Sequence, residues 1–190
     1  SIIPSLFLSY LWQDPHNFLR VMAVAGSLCV LISFLLFNAL SVSLFQVYKT
    51  DPPLIRLIAF LSMSAFAFKM FLQSLTIFPV IGNAVFGDRP IIIGFLHMVF
   101  LVFVSLFLLA YFSTENFLDI KNKFTRTALI VFASGVLFNE LTLMTQGLGV
   151  MLIKSSHIFP WLLLGAAIWM FTGALLIGIA RRMANAETIK

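Results

Sequence analysis

The chain has 190 residues and a formal net charge of +5, yet only 10% of its residues are charged and 61% are hydrophobic. Soluble domains carry roughly 25% charged and about 45–50% apolar residues, so this composition excludes an ordinary soluble domain. All but Lys69 of the 12 basic residues are scattered at the ends of apolar runs, a pattern that argues against nucleic acid as a partner and for a lipid bilayer.

Apolar runs long enough to cross a bilayer (~20 residues) recur five times. The expectation is an all-α, polytopic transmembrane helical bundle of about five spans, forming one membrane domain over residues 1–190. Residues Ile2 to Trp12 are apolar but too few to cross. They lack a basic flank and a small-residue cleavage site, so they read as the end of a preceding span or an interfacial segment, not a signal peptide. With no Met at its start, the sequence reads as the C-terminal part of a longer chain.

The first full span is expected at about 15–48. Asp14 followed by Pro15 is a helix start, an N-cap acceptor before a proline at the first helical position. Ser33, Asn38 and Ser41 mark the side of this span expected to face protein, and Cys29 reads as a small packing residue. Asp51-Pro52-Pro53 repeats the start signal, and the second span is expected at about 53–79. Ser62, Lys69, Gln73 and Thr76 recur at helical spacing on one face of it. A third span, about 90–112, opens with Arg89-Pro90 and carries Gly94 and His97. Arg89 is a candidate contact for an anion or a lipid headgroup.

The stretch from Ser113 to Arg126 is the most polar of the chain. The fourth span, about 127–153, holds Glu140, with Gly135, Asn139, Thr142 and Gln146 beside it. The fifth, about 157–180, begins near Pro160-Trp161 and ends at Arg181-Arg182. With five spans, Arg20, Arg89 and Lys154 fall on one side. Lys49, Arg56, Lys121, Lys123, Arg126, Arg181, Arg182 and Lys190 fall on the other. By the positive-inside rule the N-terminal end is outside and the C-terminus cytoplasmic, and a bacterial inner membrane is the expected location.

Orientation gives depth. Lys69 lies 13 residues after Arg56 and Glu140 lies 14 after Arg126, so they differ by ~1.5 Å on parallel spans. His97 comes from the opposite side, near the level of Gln73. Lys69, Gln73, His97, Glu140 and Gln146 are therefore candidates to line one intramembrane polar pocket. Ionisable groups at that depth cost at least ~2.5–3.5 kcal/mol and mark functional sites by default. The competing reading is a Lys69–Glu140 clamp that orders the bundle and has no substrate.

No phosphate-binding glycine loop, paired cysteines, His-Glu-x-x-His run or nucleophile elbow occurs, so the sequence assigns no enzyme activity and no metal site. A bis-histidine haem would need a second histidine at a suitable depth beside His97.

The wording Phe68-x-x-x-x-Gln73 with Lys69 inside, then Pro79, then Arg89-x-x-x-Ile93-Gly94-x-x-His97-x-Val99-x-Leu101, then Glu140-x-x-x-x-x-Gln146-Gly147 resembles the C-terminal half of a family. Its members are multi-pass bacterial inner-membrane proteins whose activity is itself uncharacterised. The resemblance covers about residues 55 to 150. It implies histidine-bearing helices earlier in a longer chain, loosely reminiscent of haem-copper respiratory proteins; a haem here would need His97 with a ligand from an N-terminal half, or His97 as its one axial ligand. This sequence lacks those helices.

Three functions therefore stand as expectations. The first is a proton- or ion-coupled transport element using Lys69, His97 and Glu140. The second is the haem- or redox-associated half of a larger membrane protein. The third is a structural subunit that packs beside other membrane subunits.

Overall fold

The structure, a computed structural model, describes residues 17–47, 51–75, 78, 89–151 and 157–188. Apolar sequence with few helix breakers, placed where no water can bond the backbone, must satisfy its own peptide groups, and the helix does so. Helix α1 covers Asn17–Val47 and α2 covers Pro53–Leu75. The third span comes in three pieces: α3 over Arg89–His97, a π-helical segment over Met98–Ser105, and α4 over Leu106–Thr114. Helix α5 covers Lys123–Met151 and α6 covers Phe159–Thr188. The five spans are long and apolar enough to cross a membrane, and no strand occurs among the described residues.

Element ends differ from the sequence reading for local reasons. Helix α5 starts four residues earlier than expected because Asn122 caps it: its Oδ1 accepts from the Phe124 amide at 2.9 Å. Helix α6 carries Arg181 and Arg182 inside the helix. Arg181 reaches back to donate to the Phe117 carbonyl at 2.7 Å, which holds the connection between α4 and α5 against the end of α6.

Neighbours in the chain are neighbours in space. Helix α5 and α6 form the most extensive pair, α1 packs on α2, and the third span lies between α2 and α5. Its two halves face different partners: α3 packs mainly on α5, whereas α4 packs on α2, and the π segment touches both. Half of the fourth span is buried inside the protein, against 11% of the fifth and 17% of the first, so α5 is the central helix. The core joins Ile55, Ile58 and Ala59 of α2, Val102 of the π segment, Leu106 and Ala110 of α4, and Leu129, Ala133 and Val136 of α5.

Glycine sets the closest approach. A Cβ on Gly173 would lie 2.6 Å from Phe132 Cα and 2.7 Å from its N, and one on Gly135 would lie 3.0 Å from Met170 Cγ. Helices α5 and α6 can therefore pack backbone to backbone, the use that membrane helices make of small residues where apolar side chains gain nothing by leaving lipid. Between α2 and the π segment the contact is polar and aromatic. The fully buried Ser62 donates to the Phe103 carbonyl at 2.8 Å, and the Phe66 and Phe103 rings lie 4.5 Å apart.

The polar residues of α1 are half-buried and keep their hydrogen bonds within the helix. Ser33 donates to Cys29 O, Asn38 to Phe34 O and Ser41 to Asn38 O, all within the same helix. Such back-bonding satisfies a hydroxyl or amide without a neighbouring helix. Cys29 is not a packing residue: it lies on the exposed side of α1, the side that meets lipid when the helix crosses a bilayer.

Candidate functional site

Contacts between the third span and α5 fix their relative height. Gly94 faces Leu143, whose Cβ lies 3.6 Å from the place a Gly94 Cβ would take, and Gly147 faces Ile91 at 3.3 Å. The helices therefore run antiparallel. Three residues on from Gly94 is His97, and three back from Leu143 is Glu140, so these two stand at the same level. Glu140, Leu143 and Gly147 follow each other at steps of three and four, which puts them on one stripe. Glu140 is thus on the face of α5 that looks toward the third span. On the other side, the Lys69 ammonium lies 5.9 Å from the centroid of the Phe95 ring, which brings it within about one helical turn of that level.

Equal height is not equal direction. Phe95 and His97 are two residues apart, or ~200° around an α-helix of 3.6 residues per turn. Lys69 meets the Phe95 side, and His97 projects from nearly the opposite one. Lys69 Nζ donates to Gln73 Oε1 at 2.6 Å. The i,i+4 amide and the aromatic face together accommodate a cation in an apolar span. His97 Nδ1 lies 2.9 Å from the Ile93 carbonyl of its own helix. Gln146 is half-buried, about one and two-thirds turns beyond Glu140 and off its stripe. Arg89 opens α3; its side chain lies outside the described residues, as do Thr76 and His16.

Glu140 has no comparable support. It is 6% exposed, and neither carboxyl oxygen has a hydrogen-bond partner among the described residues. Lys69 and Gln146 therefore do not donate to it. Beside it, Asn139 is 5% exposed and its Nδ2 is also unpartnered. Asn139 sits four residues after Gly135 on the stripe facing α6, level with the fully buried Ala166. Thr142, one turn on, is satisfied by donating to Phe138 O at 2.8 Å. Buried polar atoms in folded proteins are nearly always hydrogen-bonded, and each exception asks for an explanation. Among the described residues five buried side-chain atoms are exceptions, and three of them belong to Asn139 and Glu140.

Two polar groups are thus left over on different faces of α5: an amide nitrogen with two donor hydrogens toward α6, and a carboxyl group with unused lone pairs toward the third span. The carboxyl group can hold a proton or take an oxygen-liganded cation. The described residues contain no group of three or more His, Cys, Asp or Glu side chains that could hold a metal ion. The other described histidine, His157, is exposed at the start of the fifth span. Sequence reading put Asn139 on a face beside Glu140 but gave it no part in the site. The usable signal was its spacing from Gly135, which places it on the close-packed side of α5.

No protein-family model, curated protein or solved structure matches this chain. The chain is an all-α bundle of five membrane-span-like helices, and among the described residues its most deeply buried ionisable group is Glu140.

Proposed function

We propose that the protein is a proton- or ion-coupled transport element of a bacterial inner membrane, with Glu140 as the group that takes up the proton or cation. The observation that carries this reading is the pair of unpartnered Glu140 oxygens in the centre of the most buried span. A carboxyl kept there against its desolvation cost, with no structural bond to justify it, is what a transfer site requires. Lys69, held by Gln73, supplies a second ionisable group at nearly the same height, and His97 lies level with Glu140 across the helix interface. Gln146 lies further along α5, and Arg89, at the start of α3, is the residue that would meet anionic groups. The excess of basic residues on one set of connections supports a cytoplasmic C-terminus.

The test is flux in proteoliposomes, read with a pH-sensitive dye and with alkali cations in turn. Glu140→Gln is expected to abolish flux and Lys69→Met to reduce it strongly, while both variants retain helical content and elute as the wild type does. Wild-type flux in both variants would overturn the proposal.

A further inference from the structure

The remaining two unpartnered buried atoms, Asp51 Oδ2 and Ser113 Oγ, belong to residues that line one cavity. It lies at one end of the bundle, where α2 begins, α4 ends and α5 begins, and its volume is about 330 Å³. Its apolar floor is Leu54, Ile55 and Leu118, which belong to or pack against the core. Its polar wall carries charges of both signs: Asp51 and Asp119, and Lys121 and Arg126.

The wall is held in shape. The Phe117 and Leu118 amides both donate to the Phe112 carbonyl, at 2.9 and 3.3 Å. Phe117 is clamped from α6 by Arg181, which donates to its carbonyl and lies 5.6 Å from its ring centroid. Thr114 is spent on Ala110 O, and Asp119 Oδ1 on the Lys121 amide. Asp51 Oδ2 and the 5%-exposed Ser113 hydroxyl are left without partners.

We propose that this cavity binds the headgroup of a phospholipid that carries both a phosphate and a primary ammonium group. The location follows from the spans: the ends of three membrane helices meet at the level where headgroups lie. The two basic side chains suit a phosphate, Arg126 most of all through its planar fork. The ammonium brings N–H donors that the Asp51 carboxylate and the Ser113 hydroxyl lack. A quaternary ammonium has no N–H to give, and a purely anionic headgroup sets like charge against Asp51. The volume lies at the small end of the range for ligand sites, the size of a headgroup rather than of a whole lipid.

The experiment is native mass spectrometry of the full chain in detergent. It is offered phosphatidylethanolamine, phosphatidylcholine and phosphatidylglycerol with identical acyl chains. Retention of the ethanolamine lipid is expected to exceed that of the choline lipid by about tenfold, the effect of one charge-assisted hydrogen bond. Retention of all three lipids is expected to fall in Arg126→Gln, an exposed position whose change leaves the core intact, and the preference is expected to vanish in Ser113→Ala. Equal retention of ethanolamine and choline lipids, or a preference for phosphatidylglycerol, would overturn the proposal. So would displacement of bound lipid by soluble phosphoethanolamine at equal concentration, since that would make the occupant a free zwitterion.

Discussion

Glu140→Leu separates a functional carboxyl from a structural one by the sign of its effect on stability. In the structure both Glu140 oxygens are buried and unbonded. An unsatisfied buried polar group costs roughly 1–3 kcal/mol. Leucine has a similar reach, no polar atoms, and an apolar stripe to join, with Val136 and Leu143 both buried on the same face. The substitution is therefore expected to stabilise the bundle by about 1–3 kcal/mol, or a shift of about 5- to 150-fold toward the folded form, while flux is lost. A clamp between Glu140 and Lys69 predicts the reverse, because breaking a buried ion pair costs about 3–5 kcal/mol. The assay is reversible unfolding in mixed micelles, followed through Trp169, whose ring lies 6.1 Å from that of Phe138 in the interface between α5 and α6. A loss of stability of the clamp's magnitude would refute the account of Glu140 given above. A gain with flux intact would refute the transport role while leaving the structural account standing.

Two further substitutions test the packing. Gly173→Ala places a Cβ 2.6 Å from backbone, short of ordinary contact by at least 3.4 − 2.6 = 0.8 Å. No side-chain rotation relieves that, so a loss of about 1–3 kcal/mol is expected, whereas Gly178→Ala enters open space and is expected to be neutral or slightly stabilising in the same unfolding assay. Ser62→Ala removes the hydroxyl donor to Phe103 O. It is expected to cost about 0.6–1.7 kcal/mol, the range of interhelical hydrogen bonds in a membrane bundle, and to speed hydrogen exchange in the π segment.

The five helices were legible in the sequence because the bilayer leaves the backbone a single solution, and because Asp-Pro pairs and basic flanks punctuate the runs. The suspicion attached to Glu140 was legible for the same reason: an acidic residue in the middle of a long apolar run is conspicuous. What faces what was not. In water an apolar stripe points inward, but hydrocarbon lies on both sides of a membrane helix, so hydropathy cannot tell lipid from protein. Cys29 was misread on that account, since it lies on the exposed side of α1. Gly173 makes the tightest approach of α6, whereas Gly165 and Gly178 make none, a difference set by the crossing point rather than by local sequence. Lys69 finds Phe95 only through the register of two helices. The π winding of Met98–Ser105 left no trace in a uniformly apolar run.

That winding has an architectural consequence. Wide turns of this kind are rare and change the direction in which the following side chains project. Here the change falls where the span exchanges one neighbour for another. The bundle is thus built less like a ring of five staves than like a book: α1 with α2 is one cover, α5 with α6 the other, and the third span is the spine. Lesions in the Arg89–His97 half of the spine bear on the second cover, which holds Glu140, and lesions in the Leu106–Thr114 half bear on the first. The two covers are joined through the few residues between.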